Sequence, residues 1–443
     1  MAMDGTATPQ LSPDNPGWRA WCRDYYLLLV GIGFLIGIGF VFARQTERSE
    51  WSLCFLTAAR QMREGTAIHN PGLTTYSYPP LMALLAVPFS DLSIRNSHLA
   101  WFAVNAVALL AMFLWCWRLA GAPGWIALDW KWTGIFWLGI LLAGRYILAP
   151  LQHQQFDVVI TALLAGGVLL IWRGHDWLGG CSLGAAAAMK CTPLLFAPYL
   201  VWRGKYVAAG LLLAVSVLLN VVPDLVSPQL DGDSYLRDWK NTYLNFAGNS
   251  APGVWHSDLT LNQSLGGSLN RLMRLGLGLP VKEAHLAGRE LPAWAADNLK
   301  GLTYGTGLLL LGICLLRFGR PFRGAPLVET ARPVDWQQMR TPVEASAIFC
   351  LMLLLSPMSS KAHYIVLLLP CWLVVRYLVE THAGWSGILF GVLVVTGPLT
   401  TKGIVGKSVG DATLAWGLPT AFVMALLVGM WLLPVEEGMK DEG

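Results

Sequence analysis

The chain has 443 residues, of which 55% are hydrophobic and only 13% are charged, and its mean hydropathy is +0.50. A soluble domain does not bury so much apolar surface, so the composition indicates a membrane protein. The net charge of +4 is small, and the basic residues are scattered through short polar stretches. Nucleic acid is therefore not implied as a partner.

Apolar runs of the length that crosses a bilayer recur from Tyr25 to Leu433. A crossing helix needs roughly 20 apolar residues, and we count roughly eleven or twelve such segments. The sequence has no internal repeat of fixed period. The sequence therefore predicts an all-α polytopic membrane protein with one transmembrane domain over residues 25–433.

The first elements set the predicted orientation. Arg19 and Arg23 precede the first apolar run, and basic residues remain on the cytoplasmic side, so residues 1–24 are predicted to be a cytoplasmic lead. The first helix then ends near Ala43, and residues 44–78 form a first extracytoplasmic loop. Helical spacing of apolar residues within this loop predicts an amphipathic surface helix over 49–64.

The remaining elements alternate across the membrane. Residues 223–298 are predicted to form a second extracytoplasmic loop, the basic connector 317–340 lies inside, and the acidic residues 434–443 form a cytoplasmic tail. The further helices expected in chain order are 98–118, 132–149, 156–172, 177–189, 194–202, 206–222, 345–355, 364–377, about 385–398 and about 413–433.

This topology brings several polar clusters to the outer face. Polar residues beside apolar helices are energetically costly and tend to mark function, so their shared side predicts one active site. The clusters are Glu50 with Trp51, Tyr78 to Pro80, Gln152 to Asp157, Lys190 to Pro193, Ser359 to His363, and the loop pair Asn262 and Gln263.

Four of these residues are candidates for chemistry, each with a structural alternative. Lys190 is a cation for a phosphate, or a lysine that reaches the membrane interface. His363 binds a phosphate or a sugar hydroxyl, or is an ordinary interfacial histidine. Glu50 is a general base for an acceptor hydroxyl, or a charge that complements a helix start. Asp157 is the rival carboxylate.

The sequence offers little sign of nucleotide or metal chemistry. Asp231-Gly232-Asp233 resembles a carboxylate pair that holds a metal and a nucleotide sugar, but the surrounding glycine, serine and proline favour a solvated turn. No P-loop, G-x-G-x-x-G or metal-spaced His/Cys cluster occurs. We therefore expect no cofactor and no metal, and a donor substrate that arrives through the membrane.

Taken together, the motifs resemble glycosyltransferase family 87, within the GT-C superfamily of polyprenyl-phosphate-dependent transferases. Singly each motif is weak, but their order and spacing are specific. The motifs that carry the resemblance are Glu50-Trp51, Ala58-Ala59, Gly65, Tyr78-Pro79-Pro80, Gln154-Gln155-Phe156-Asp157, the glycine-rich stretch from Gly179 to Lys190 with Pro193, Asn262 to Leu265, and Ser356-Pro357 with His363-Tyr364.

The resemblance implies a GT-C-type fold and an inverting transfer of mannose or a similar sugar. The implied donor is a polyprenyl-phosphate sugar. The implied acceptor is a lipid or glycan hydroxyl on the extracytoplasmic face of the cell membrane. The implied roles are general base for Glu50 and donor-phosphate binding for Lys190 and His363. Substrate binding falls to Tyr78, Gln155, Asp157, Asn262 and Gln263.

This chain departs from the family pattern at two places. The family typically has Asp as the acid of the first loop, where this chain has Glu50. The family's Gly-Gln-x-Asn is replaced here by Gln154-Gln155-Phe156-Asp157. A transporter or lipid flippase is the alternative function, since it also has many helices with buried polar residues. The long outer loops and the clustering of polar groups on one side argue against it. A phosphoethanolamine transferase needs a metal-binding soluble domain, which the sequence lacks.

Overall fold

The computed structural model describes residues 18–44, 49–69, 76–124, 128–244, 252–254, 259–281, 290–319 and 334–434. Most of the predicted N-terminal lead, nearly all of the predicted tail and much of the basic connector lie outside these ranges. Within them the regular structure is helical and contains no strand.

The helices are numbered in chain order. A π-helical turn, Trp51–Leu56, leads into α2, and a 3-10 turn, His363–Leu367, leads into α14. The bounds are α1 Trp18–Arg44, α2 Thr57–Arg63, α3 Pro80–Ala86, α4 Ile94–Leu119, α5 Trp130–His153, α6 Asp157–Trp172, α7 Asp176–Met189, α8 Phe196–Trp202, α9 Tyr206–Val226, α10 Tyr235–Trp239, α11 Leu265–Gly276, α12 Ala293–Phe318, α13 Arg340–Leu355, α14 Leu368–Thr381, α15 Gly384–Thr396, α16 Lys402–Ala415 and α17 Leu418–Leu432.

Several helices are long and apolar enough to cross a membrane. In the described ranges there are five of them, namely α4, α5, α9, α12 and the segment His363–Thr381, and the bent pair α15 and α16 makes up to six. Shorter apolar helices, among them α6 and α17, accompany these. The predicted class, an all-α polytopic membrane protein, is confirmed. The expected eleven or twelve crossings exceed the number that passes this test of length and composition.

Close packing of α4, α6, α7 and α9 forms the part of the bundle that carries Lys190. Two glycines of α7 allow the approach to α9. A Cβ atom on Gly180 would lie 2.6 Å from the carbonyl oxygen of Ala208, and one on Gly184 would lie 2.8 Å from Val215 Cβ. Side chains at these positions would push α7 away from α9. The glycines therefore set the position of α7, and with it the position of Lys190, which follows the last residue of that helix.

The end of the chain differs from the expectation. The sequence predicts one helix over about 413–433, and this is wrong, because α16 and α17 are separate helices. Gly417 has a left-handed backbone (φ 73°) and Pro419 follows at the start of α17, a combination that ends one helix and begins the next. A second break after α15 turns α16 through 90°.

Charged pairs gather at one end of the bundle. Lys205 pairs with Asp176 at 3.0 Å, Lys131 pairs with Glu380 at 3.2 Å, and Arg203 pairs with the buried Glu344. These residues belong to the starts of α5, α7, α9 and α13 and the ends of α8 and α14. The other end of the bundle contains the ends of α5, α7 and α13 and the start of α6. The candidate site predicted from the sequence lies at that end.

Candidate active site

The connection between α5 and α6, residues 154–156, organises the site. Gln154 ends α5 in a left-handed conformation (φ 56°, ψ 43°), which is unusual for a residue other than glycine and is common where function requires it. Its side-chain oxygen lies 2.5 Å from His98 Nδ1, and its carbonyl accepts a hydrogen bond of 3.0 Å from Trp101 Nε1. Helix α4 therefore holds the turn in place.

Glu50 is anchored to this turn. Gln155 Nε2 donates a hydrogen bond of 2.5 Å to Glu50 Oε2. The next residue, Trp51, stacks on Trp101 with ring centroids 4.4 Å apart and donates through Nε1 to Ser97 Oγ at 2.8 Å. The half-buried carboxylate of Glu50 is thus fixed both by its own hydrogen bond and by its neighbour's packing.

The surroundings of Glu50 favour its protonated form. Burial raises the pKa of the Glu50 carboxyl, the hydrogen bond from Gln155 and the nearby His153 lower it, and the Asp157 carboxylate raises it. Burial is the largest of these effects, so the pKa of Glu50 lies above its ordinary value. A carboxylate shifted in this direction is a better proton acceptor near neutral pH.

Asp157 and Lys190 form a buried ion pair. Lys190 Nζ lies 2.8 Å from Asp157 Oδ1, and the side chains are 16% and 5% exposed respectively. Lys190 is extended (φ −160°, ψ 120°) and stands directly after α7, while Asp157 begins α6. The second carboxylate oxygen of Asp157 is buried and has no hydrogen-bond partner among the described residues.

A cavity adjoins this ion pair. It is open to solvent, has about 340 Å³ of empty space with the open part included, and is lined by both members of the ion pair and by His363. His363 Nδ1 accepts a hydrogen bond of 3.1 Å from the Ser360 amide, and the ring also hydrogen-bonds to the Met358 backbone. The lining residues are Asp157, Ile160, Thr161, Leu164, Lys190, Thr192, Met352, Leu353, Ser356, Ser359, His363 and Val366.

Tyr78 lies near both carboxylates. The Lys190 ammonium lies 6.0 Å from the centre of the Tyr78 ring. Burial raises the pKa of the Tyr78 hydroxyl, and the Asp157 and Glu50 carboxylates, which face it, raise that pKa further. Tyr78 therefore remains a neutral hydrogen-bond donor. The structure brings together Glu50, Tyr78, Gln155, Asp157, Lys190 and His363, six residues that the sequence singled out.

Asn262 and Gln263 lie beside this group but have other partners. Asn262 Nδ2 donates to the Pro357 carbonyl at 2.8 Å, and its Oδ1 accepts from the Ser359 amide at 3.1 Å. The Gln263 amide donates to the Ser359 carbonyl at 2.6 Å. Neither residue is in the cavity wall, so their contact with substrate stays a prediction. Their bonds hold the loop from Ser356 to His363, which is in the wall.

We expect Asn262→Ala to weaken this loop. The substitution leaves the buried Ser359 amide and the Pro357 carbonyl without their partner, and the unpaired buried amide costs about 1–3 kcal/mol. The thermal unfolding midpoint should fall, and donor binding should weaken because His363 is no longer held. Asn241, an exposed residue outside the loop, gives the matched control, and Asn241→Ala should change neither measurement. Equal effects of the two variants would remove this role from Asn262.

Comparison with known proteins places the chain in a family. The model of glycosyltransferase family 87 matches residues 76–331, which is more than half of the chain. The chain belongs to glycosyltransferase family 87. Of the site residues, those from Tyr78 to Gln263 lie inside the matched region, whereas Glu50 and His363 lie outside it.

The chain is similar to two mannosyltransferases of known donor type. The chain is 25% identical over 225 residues to the polyprenol-phosphate-mannose-dependent alpha-(1-2)-phosphatidylinositol pentamannoside mannosyltransferase of Mycobacterium tuberculosis (strain CDC 1551 / Oshkosh), covering 50% of this chain and 49% of the relative. It is 26% identical over 276 residues to the polyprenol-phosphate-mannose-dependent alpha-(1-2)-phosphatidylinositol mannoside mannosyltransferase of Mycolicibacterium smegmatis (strain ATCC 700084 / mc(2)155), covering 58% and 59%. The chain thus spans about half the length of the curated relatives it matches. No solved structure matches it.

Two residues that support the candidate site are not predicted from the sequence. His98 is fully buried within α4 and bridges Ser52 Oγ at 3.0 Å and Gln154. Asn220 of α9 donates to the Ala188 carbonyl at 3.0 Å and accepts from the Leu81 amide at 3.2 Å, joining the end of α7 to the Tyr-Pro-Pro segment. The available signal was a lone polar residue inside an apolar helix.

Asp231 and Asp233 lie in a separate turn. Asp231 Oδ1 accepts a hydrogen bond of 3.0 Å from the Asp233 amide, and both residues are exposed. This is the local geometry of a solvated aspartate turn. In the part of the chain that the structure describes, no group of three His, Cys, Asp or Glu side chains is placed to hold a metal ion.

Proposed function

We propose that this family 87 protein transfers a sugar from a polyprenyl-phosphate donor to an acceptor hydroxyl, with inversion at the sugar carbon. One observation carries the proposal. A single short connection binds Glu50 through Gln155 and leads directly into Asp157, the partner of Lys190. A proton acceptor and a cation are therefore fixed next to one another beside a cavity, as a sugar transfer to a hydroxyl requires.

Glu50 acts as the general base. Its carboxylate takes the proton of the acceptor hydroxyl while the hydroxyl oxygen attacks the anomeric carbon of the sugar. The bond from that carbon to the phosphate oxygen breaks, and polyprenyl phosphate leaves with the electron pair. The hydrogen bond from Gln155 orients the carboxylate, and the raised pKa of Glu50 suits a base that works near neutral pH.

Lys190 and His363 bind the departing phosphate. An ammonium group has three donors, and Lys190 uses one of them on Asp157, which leaves two for phosphate oxygens. Asp157 favours the charged form of this buried lysine. We therefore assign Asp157 a positioning role and Glu50 the role of base. His363 adds a neutral polar ring at the start of its helical turn, and the charge of Lys190 counts for more in such a dry site than it does in water.

The site is assigned to the extracytoplasmic face. Lys131, Lys205, Arg203 and Arg376 lie at the bundle end opposite to the site. Basic residues concentrate on the cytoplasmic side of membrane proteins, which supports this orientation. A lipid-linked sugar reaches an outer site laterally through the bilayer, whereas a nucleotide sugar made in the cytoplasm does not.

Both relatives are named for a polyprenol-phosphate-mannose donor and a phosphatidylinositol mannoside acceptor. We therefore propose mannose or a similar sugar as the donor group and a lipid or glycan as the acceptor.

The donor assignment predicts a definite result. Purified full-length protein incubated with a panel of polyprenyl-phosphate sugars should hydrolyse or transfer at least one of them. Addition of EDTA should not change the rate, and nucleotide sugars should be inert, because Lys190 supplies the positive charge that the departing phosphate needs. Release of polyprenyl phosphate is the measurement. Turnover of a nucleotide sugar that EDTA abolishes would contradict the proposal and return attention to Asp231 and Asp233.

A further inference from the structure

A second group of basic side chains meets the loop that lines the cavity. Arg145 of α5, Lys402 at the start of α16 and the Asp411 carboxylate lie near enough to Lys361 to act on its charge. Asp411 is already bound to Lys402, with 2.5 Å between Oδ1 and Nζ. Among the described residues the half-buried Lys361 ammonium has no hydrogen-bond or ion-pair partner. Three cations thus share one carboxylate.

Arg145 is held in position with part of its guanidinium group unused. Its Nη1 donates to the Gly397 carbonyl at 2.8 Å and to the Thr400 hydroxyl. The guanidinium lies 5.2 Å from the centre of the Tyr146 ring. Its other nitrogens have no acceptor in the described ranges. A guanidinium so placed is suited to bind the oxygens of a phosphate.

The charges around Lys361 are unfavourable without an anion. Burial lowers the pKa of the Lys361 ammonium to about 8, the nearby Arg145 and Lys402 add to this, and Asp411 opposes it. A bound anion would offset the mutual repulsion of the three cations and would favour the charged form of the lysine.

We propose that Arg145, Lys361 and Lys402 bind the anionic phosphate of a membrane glycerophospholipid. The arrangement of α16 supports a lipid as the source. This segment turns through 90° from α15, has a break at Gly406 (φ 80°), and exposes Ile404 and Val409, which are 62% and 52% exposed. Exposed apolar side chains next to basic ones are typical of a segment at the bilayer interface, where phosphate groups lie. Lys361 is two residues from His363, so the lipid head group lies near the donor site. The bound lipid is thus placed to be the sugar acceptor, a role that rests on the proposed function.

Binding can be measured without sugar transfer. Full-length protein in detergent is titrated by microscale thermophoresis with phosphatidylglycerol, phosphatidylcholine, polyprenyl phosphate and inorganic phosphate. Lys361→Ala should weaken phosphatidylglycerol binding by about tenfold, as expected for the loss of one charge-assisted hydrogen bond, and Lys361→Arg should retain it. Lys407 is an exposed lysine of α16, so Lys407→Ala is the matched control and should bind as the wild type does. Wild-type affinity should fall above about pH 8, where Lys361 loses its proton.

Each result has a clear meaning. Equal affinities of wild type and Lys361→Ala for phosphatidylglycerol would overturn the site. Dependence on Lys361 seen only with polyprenyl phosphate or with inorganic phosphate would overturn its assignment to a glycerophospholipid. Lipid binding that depends on Lys361 in a protein without transferase activity would instead contradict the proposed function and leave the lipid site intact.

Discussion

Glu50→Gln should abolish sugar transfer while donor binding remains nearly unchanged. Glutamine keeps the shape of the side chain and its bond to Gln155, but it cannot accept the proton of the acceptor hydroxyl. A general base contributes about 10²–10⁴ to the rate, so a loss of this size in kcat is expected. The measurements are the rate of polyprenyl phosphate release with acceptor and the affinity for the donor lipid.

The rival carboxylate supplies the contrast. Asp157→Asn should retain part of the activity and should weaken donor binding, because it alters the charge beside Lys190 and leaves Glu50 in place. An active Glu50→Gln variant together with an inactive Asp157→Asn variant would move the base to Asp157. The wild-type rate should also fall on the acid side at a pH above the usual range of a glutamate, since burial raises the pKa of Glu50 and the protonated form cannot act as base.

Much of the helical order and the membership of the site follow from the sequence. Apolar runs of membrane length locate α4, α5 and α9 to within a few residues of their ends, because helix length and hydropathy are constrained by the bilayer. The polar clusters at those ends include Glu50, Gln155 and Lys190, and the structure brings these three together.

The partners within the site do not follow from the sequence. Asp157 was a rival base on sequence grounds, and its distance of 2.8 Å from Lys190 gives it a different assignment. Asn262 was expected to contact substrate, yet its side-chain bonds go to the backbone of a distant loop. Such pairings depend on how α6, α7 and α13 pack against one another, and the pattern of apolar residues does not specify that packing. His98 and Asn220 were missed for the same reason.

Lys190→Ala should reduce both stability and transfer. Removal of the lysine leaves the Asp157 carboxylate buried without its partner, and breaking a buried ion pair from one side costs about 3–5 kcal/mol. The more exposed pair of Lys205 and Asp176, with side chains 22% and 29% exposed, is the matched control. Lys205→Ala should cost about 1 kcal/mol or less and leave transfer unchanged. The measurements are the thermal unfolding midpoint and the rate of transfer.

The double variant Lys190→Ala, Asp157→Asn separates the two roles of the lysine. An asparagine carries no charge, so the free-energy cost of an unpaired buried carboxylate at position 157 disappears. The thermal unfolding midpoint should therefore return most of the way to the wild-type value. Transfer should remain as low as in Lys190→Ala, since the phosphate still lacks its cation. Recovery of transfer together with stability would show that Lys190 only compensates Asp157, and the donor phosphate would then depend on His363 and other donors of the cavity wall.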